Sequence, residues 1–175
     1  MSAIECDELL YNSVEPPQGG GGASVIPLVK VRLGPTGTNM TDGGNNWTQK
    51  NVFNSAVINQ GGFNVSTSQI TVPEDGIYYC YANVGYIENT SSDSSYRWTV
   101  WHRWVVDGVA QPEEARGSYC RDTSNHFTAS TSLATMYQLN QNSTLRLQFY
   151  HGTGFNGNDC TLLDFSHVLV YKIAE

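Results

Sequence analysis

Charge is scarce in this chain. Only 14% of its 175 residues are Asp, Glu, Lys or Arg, against roughly 25% in ordinary soluble domains. Basic residues are the rarer sign, 9 against 16 acidic ones, for a net charge of −7. Nucleic acid and anionic membrane surfaces are thereby poor partners, since both are held by clustered Lys and Arg. No apolar run approaches the roughly 20 residues of a membrane-spanning helix. Helical periodicity is missing too, with no 3.6-residue pattern lasting three turns. Met1 to Tyr11 carries Glu5, Asp7 and Glu8 and no basic residue, so a secretory leader is not expected there.

The residue patterns of catalysis are also missing. The four cysteines, Cys6, Cys80, Cys120 and Cys160, form no CxxC pair, which leaves zinc without support. Cys80 sits in a strand-like run and reads as a small buried apolar residue. Cys120 and Cys160 lie in turn-rich segments and could pair if those loops meet. His102, His126, His151 and His167 have no HxH or HxxxH spacing. No G-x-S-x-G elbow occurs, and Gly19–Gly22 lacks the Lys-Ser/Thr of a phosphate loop. Glu74-Asp75 and Glu113-Glu114 read as loop charges rather than an acid/base couple. The expectation is a protein that is not an enzyme and holds no cofactor or metal.

Polarity comes instead from neutral side chains. Mean hydropathy is −0.34 despite the sparse charge, because Ser, Thr, Asn, Gln and 17 glycines are abundant. Aromatics at 11% and many β-branched residues speak against disorder. The five N-x-S/T triplets, at Asn39, Asn46, Asn64, Asn89 and Asn142, are what chance gives in such a composition. The chain divides at about residue 24. Residues 1–24 hold a short amphipathic piece (Ile4, Leu9, Leu10, Tyr11), then Pro16-Pro17 and four glycines. They read as a peg, a stiff spacer and a hinge, an anchoring arm ahead of the domain at 25–175.

From Val25 the chain alternates strand-like runs with Gly, Asn, Asp, Ser and Pro clusters. The clearest runs are Val25–Leu33, Gly76–Tyr86, Tyr96–Val106, Leu133–Leu139, Thr144–His151 and Phe165–Ile173. Weaker ones are Asn51–Asn59, Gly62–Val65 and Gln69–Val72. The pattern predicts an all-β antiparallel sandwich or jelly roll. Thr144–His151 has one apolar face, the ordinary two-layer pattern. Gly76–Tyr86, Leu133–Leu139 and Phe165–Ile173 are apolar on both faces. A sandwich covers one face of each sheet, so a second cover is expected, most economically other copies of the chain. Tyr78, Tyr79, Tyr81, Tyr86, Tyr137, Val168, Val170 and Tyr171 are the predicted contact residues, since tyrosine suits an interface that is large but not dry.

Several segments carry a resemblance. Val72-Pro-Glu-Asp-Gly-Ile-Tyr-Tyr-Cys-Tyr-Ala-Asn-Val84, with Phe53 and Gly62-Phe63 upstream, resembles the central strands of the tumour necrosis factor-like superfamily. It is most similar to the globular heads of the complement first-component recognition protein. Leu133–Leu145 resembles that family's strand pair joined by a Gly-Asp turn, here Asn142-Ser143. Phe165–Val170 resembles its closing strand, with His167 in place of a glycine. The resemblance implies a jelly roll assembled as a tight homotrimer. His167 would then lie near the axis, where three copies could form a metal or pH-sensitive cluster; a packed, hydrogen-bonded histidine is the simpler expectation.

Two functions follow as expectations. One is a trimeric virion component, a phage capsid decoration or fibre knob, anchored to a capsid protein by Ile4, Leu9, Leu10 and Tyr11 and meeting host glycans through its loops. The absent leader and the hinged arm motivate it. The other is a secreted recognition or ligand domain of the same fold. The loops at 39–47, 88–95, 107–125 and 152–159, rich in Asn, Ser, Gly and aromatics, are the expected adhesive surface.

Overall fold

A computed structural model describes residues 25–40, 46–88, 97–117, 120–121, 128–151 and 160–175. In chain order the strands are β1 (Leu28–Leu33), β2 (Thr48–Gln49), β3 (Phe53–Gln60), β4 (Asn64–Val65), β5 (Ile70–Thr71), β6 (Gly76–Glu88) and β7 (Arg97–Trp98). They continue as β8 (Val100–Val106), β9 (Val109–Arg116), β10 (Cys120–Arg121), β11 (Thr128–Leu139), β12 (Thr144–His151), β13 (Cys160–Leu162) and β14 (His167–Ala174). No helix occurs among the described residues.

Two antiparallel sheets form the sandwich. The inner sheet runs β11-β6-β14-β1-β3, with β13 also on β6. The outer sheet runs β4-β5-β12-β8-β9, with β2 on β12; β7 and β10 pair separately. Chain neighbours are often not sheet neighbours: β6 lies between β11 and β14, and β12 between β5 and β8. That crossing connectivity between two sheets is the expected jelly roll.

The core lies between the sheets. Tyr78, Tyr86, Phe53, Trp104 and Phe149 have at most 1% of their surface exposed. Tyr78 meets Phe63 edge-on with centroids 6.0 Å apart, and its hydroxyl donates to the Glu74 carbonyl at 2.9 Å. Cys80 and Cys160 are fully buried, and burial raises the Cys80 thiol above its usual range. Lys172 closes one end of the sandwich, its Nζ 2.8 Å from both Glu74 and Glu175 carboxylates. Those carboxylates, Glu175 foremost, raise its pKa.

The turns explain the register. Asp107-Gly108 links β8 to β9 with φ of 48° and 81°, the left-handed pair that a two-residue hairpin needs. The Asp107 carboxylate accepts from the Thr144 N–H at 2.6 Å and the Ser143 hydroxyl at 2.9 Å, so two hairpin ends are tied together. Asn142 takes the left-handed position of its turn, φ 70°, where asparagine is among the few residues tolerated besides glycine.

Most expected strands are present with shifted ends. β11 starts at Thr128, five residues before the predicted Leu133, and Phe165 stands in the turn ahead of β14. One expectation is corrected. The stretch 107–125, read as an adhesive loop, contains strand β9. Its Pro112 and two glutamates argue locally against a strand, but β9 is an edge strand with a register shift against Arg103/Val105. Such a site tolerates a residue with no N–H to give.

Candidate functional site

Alternation along β6 and β14 decides what can meet a partner. Side chains directly opposite across a sheet share a face. Tyr78, Cys80, Ala82 and Val84 of β6, with Val168 and Val170 of β14, point into the sandwich and are 0% exposed. Ile77, Tyr79 and Tyr81 point outward, with Leu169 and Tyr171 of β14.

Four of the eight predicted contact residues are therefore corrected. Tyr78, Tyr86, Val168 and Val170 have no exposed surface in the single chain, so they have none left to bury against a second copy. Tyr137 lies opposite Tyr78 on β11 and packs on the core from the sheet edge; burial pushes its phenol up to about 12. Tyr79, Tyr81 and Tyr171 do line the outward face. The structure adds Met136 (62% exposed), Phe165 (50%) and Ile173 (46%) to it. Polarity on β6 could have separated the two faces in the sequence, since Asn83 and Gly85 share the outward side and Cys80, Ala82 and Val84 the inward one.

The outward face is ordered by its own contacts. Tyr79 and Tyr171 pair with centroids 5.2 Å apart, and Tyr81 with His167 at 5.8 Å. The Tyr81 hydroxyl lies 3.3 Å from Ser132 Oγ, which donates to Asn83 at 3.0 Å. A Cβ on Gly85 would come within 2.2 Å of the Phe165 ring, so glycine lets that ring lie across the strand. Ser166, fully buried, fixes this turn through bonds to Gly85 N and O at 2.9 and 3.1 Å. An open groove of about 380 Å³ beside it is lined by Lys30, Arg32, Val57, Asp164 and His167. His167 Nδ1 lies 3.0 Å from the Phe165 carbonyl. Among the described residues no three His, Cys, Asp or Glu converge as metal ligands. Between Ile77 and Gly85 on β6, His167 and Ile173 on β14, and Ser132 and Gln138 on β11, no outward position is Asp, Glu, Lys or Arg.

The model of the tumour necrosis factor family matches residues 45–155. The chain belongs to that family. No characterised protein matches it by sequence. Solved structures match across nearly the whole domain at low identity, and so show the shared fold. Murine APRIL is 13% identical with a TM-score of 0.55, over 85% of this chain and 99% of that one. Eiger TNF from S. frugiperda is 12% identical with a TM-score of 0.57, over 87% and 95%. The globular domain of zebrafish complement 1qA is 14% identical with a TM-score of 0.56, over 86% and 98%. The family assignment agrees with the fold read from the residues, tumour necrosis factor-like with a complement-type head among its matches.

Ile4, Leu9, Leu10 and Tyr11 lie outside the described residues, as do most of the loops at 39–47, 88–95 and 152–159 and part of that at 107–125. Cys160 is in the core, while the side chain of Cys120 is outside the description.

Proposed function

We propose that this chain is a non-enzymatic extracellular recognition domain that works as a homotrimer, each copy packing its Tyr79–Tyr81–Tyr171 face against a neighbour. The observation that carries this is the uncharged outward face of β6, β14 and β11. Large exposed apolar patches mark interaction surfaces, and depletion of charge with enrichment of tyrosine and methionine marks the centre of a protein interface. Membership of the tumour necrosis factor family supports threefold assembly, which the resemblance implied independently of the face. Decoration of a virion gains no comparable support: the matched structures named above come from mouse, an insect and zebrafish, and the anchoring arm is outside the described residues. Native mass spectrometry at micromolar concentration tests the proposal. A species of three times the chain mass is expected, and a sole monomer would refute it.

A further inference from the structure

The solvent face of the outer sheet is built differently. Cross-strand pairing sets Tyr150 of β12 opposite Trp101 of β8, and Trp101 opposite Arg116 of β9. Trp47 precedes β2, which pairs with β12 on the other side. The four side chains form a row across the strands. Centroids are 5.5 Å apart for Trp47–Tyr150 and 5.0 Å for Trp101–Tyr150. A guanidinium closes each end of the stack, Arg103 over Trp47 and Arg116 over Trp101, both at 4.1 Å.

The arginines are held mainly by neutral partners. Arg103 donates through Nε and Nη2 to Gln148 Oε1 at 3.0 and 2.8 Å. Arg146 donates in the same way to Gln69 Oε1 at 3.2 and 2.7 Å. Among the described residues only Arg116 pairs with a carboxylate, that of Glu114, at 2.8 Å from its Nε. Among the described side chains of this row, three guanidiniums stand beside the single Glu114 carboxylate, with Asp107 at the far end of the β8–β9 hairpin, in a chain of net charge −7. Amide acceptors fix guanidinium geometry without neutralising it, so the rotamer entropy of a contact is largely lost before any ligand arrives. Arg146, Arg103 and Arg116 are successive diagonal neighbours on β12, β8 and β9, with Cα steps of about 7–8 Å.

We infer that this face binds an acidic polysaccharide, with Arg103 and Arg146 as its principal anion contacts and Gln148, Gln69 and the exposed ring edges meeting its hydroxyls. Single-stranded nucleic acid needs free aromatic faces on which bases stack, and here each ring lies against another ring or a guanidinium. An extended peptide gains affinity by pairing with a sheet edge, whereas the row lies on the flat face of the sheet, centred on β12 and β8, which are paired on both sides. A polymer carrying fixed anions and its own hydroxyls needs neither.

The experiment is isothermal titration of the full chain with heparin, polygalacturonate, neutral dextran and poly-glutamate. The key variant is Gln69→Glu with Gln148→Glu, which keeps an acceptor on Arg103 and Arg146 and sets a carboxylate against each of these guanidiniums. Expected is heparin or polygalacturonate binding that weakens with salt, about tenfold or more weaker in the variant, with dextran silent and the melting temperature maintained. Arg103→Gln with Arg146→Gln gives the same loss by a second route. Absence of binding to both acidic polysaccharides, equal binding by the variants, or poly-glutamate binding as tight as heparin would overturn the inference. The oligomeric state is read in parallel, because this face is separate from the Tyr79 face.

Discussion

Both sheets carry aromatic side chains on their outward faces, yet the two faces hold them in different ways. On the outer sheet Trp47, Tyr150 and Trp101 are stacked on one another and capped by Arg103 and Arg116. On the inner sheet Tyr79, Tyr81 and Tyr171 have no cation over them among the described contacts, and Met136, Phe165 and Ile173 stand exposed beside them. A stacked and charged face is compatible with water, whereas the uncharged stretch on β6, β14 and β11, with Lys30 and Arg32 of β1 only at its margin, gains by being covered. The difference teaches that aromatic content does not by itself mark an interface; the placement of charge among the rings does.

The sharpest break of this comparison is between neighbours on β6. Tyr78→Ala removes a fully buried ring and is expected to cost about 3–5 kcal/mol in urea unfolding, as for other buried aromatics. Tyr79→Ala, one residue on, acts instead on the concentration dependence of assembly. Equal losses for the two would mean that the division into inward and outward faces is wrong.

Next in size is an acid effect in the core between the sheets. His102 of β8 is 0% exposed, its ring nitrogens make no well-formed hydrogen bond, and burial lowers its pKa to about 4, opposed by the Ala82 backbone. Its ring packs near Phe149 at 6.4 Å. The unfolded chain takes the proton near pH 6.5 and the folded chain only near 4, so stability is full above about 6.5 and falls as pH drops through that window. The loss reaches about 3 kcal/mol at most. Thermal melts from pH 7 to 4 check this, and His102→Phe should flatten the slope by up to one proton.

The smallest expected effect is in the outer-sheet row. Trp101→Ala opens the stack between Tyr150 and Arg116 and should cost about 1 kcal/mol beyond its lost area, with a loss of near-ultraviolet ellipticity. It should leave the oligomer intact, because the row lies on the other sheet.

Much of this was legible in the residues. Thr144–His151 alternates cleanly, and its bounds in the sequence and the structure coincide. The motif around Pro73 to Tyr81 led to the family. The two apolar faces of Gly76–Tyr86 are visible as well, and on β6 the only sequence signal for which one turns outward is the weak polarity of Asn83 and Gly85; which residues lie opposite in the second sheet, a long-range fact, decides it for Tyr78 and Val168. β9 was hidden by Pro112, whose missing donor matters little at a sheet edge with a register shift. The outer-sheet row was half visible: Trp101 and Arg103 share one face of β8, and Arg146 and Gln148 one face of β12. Only the antiparallel register brings Trp47, Tyr150 and Trp101 into line.

Sedimentation velocity of the chain beside its Tyr81→Glu and Gln148→Glu variants tests the central claim most directly. The account predicts a trimer for the natural sequence, dissociation on placing a charge at Tyr81, and an unchanged trimer on placing one at Gln148. A monomer throughout, or a trimer that survives Tyr81→Glu and is lost with Gln148→Glu, would contradict it.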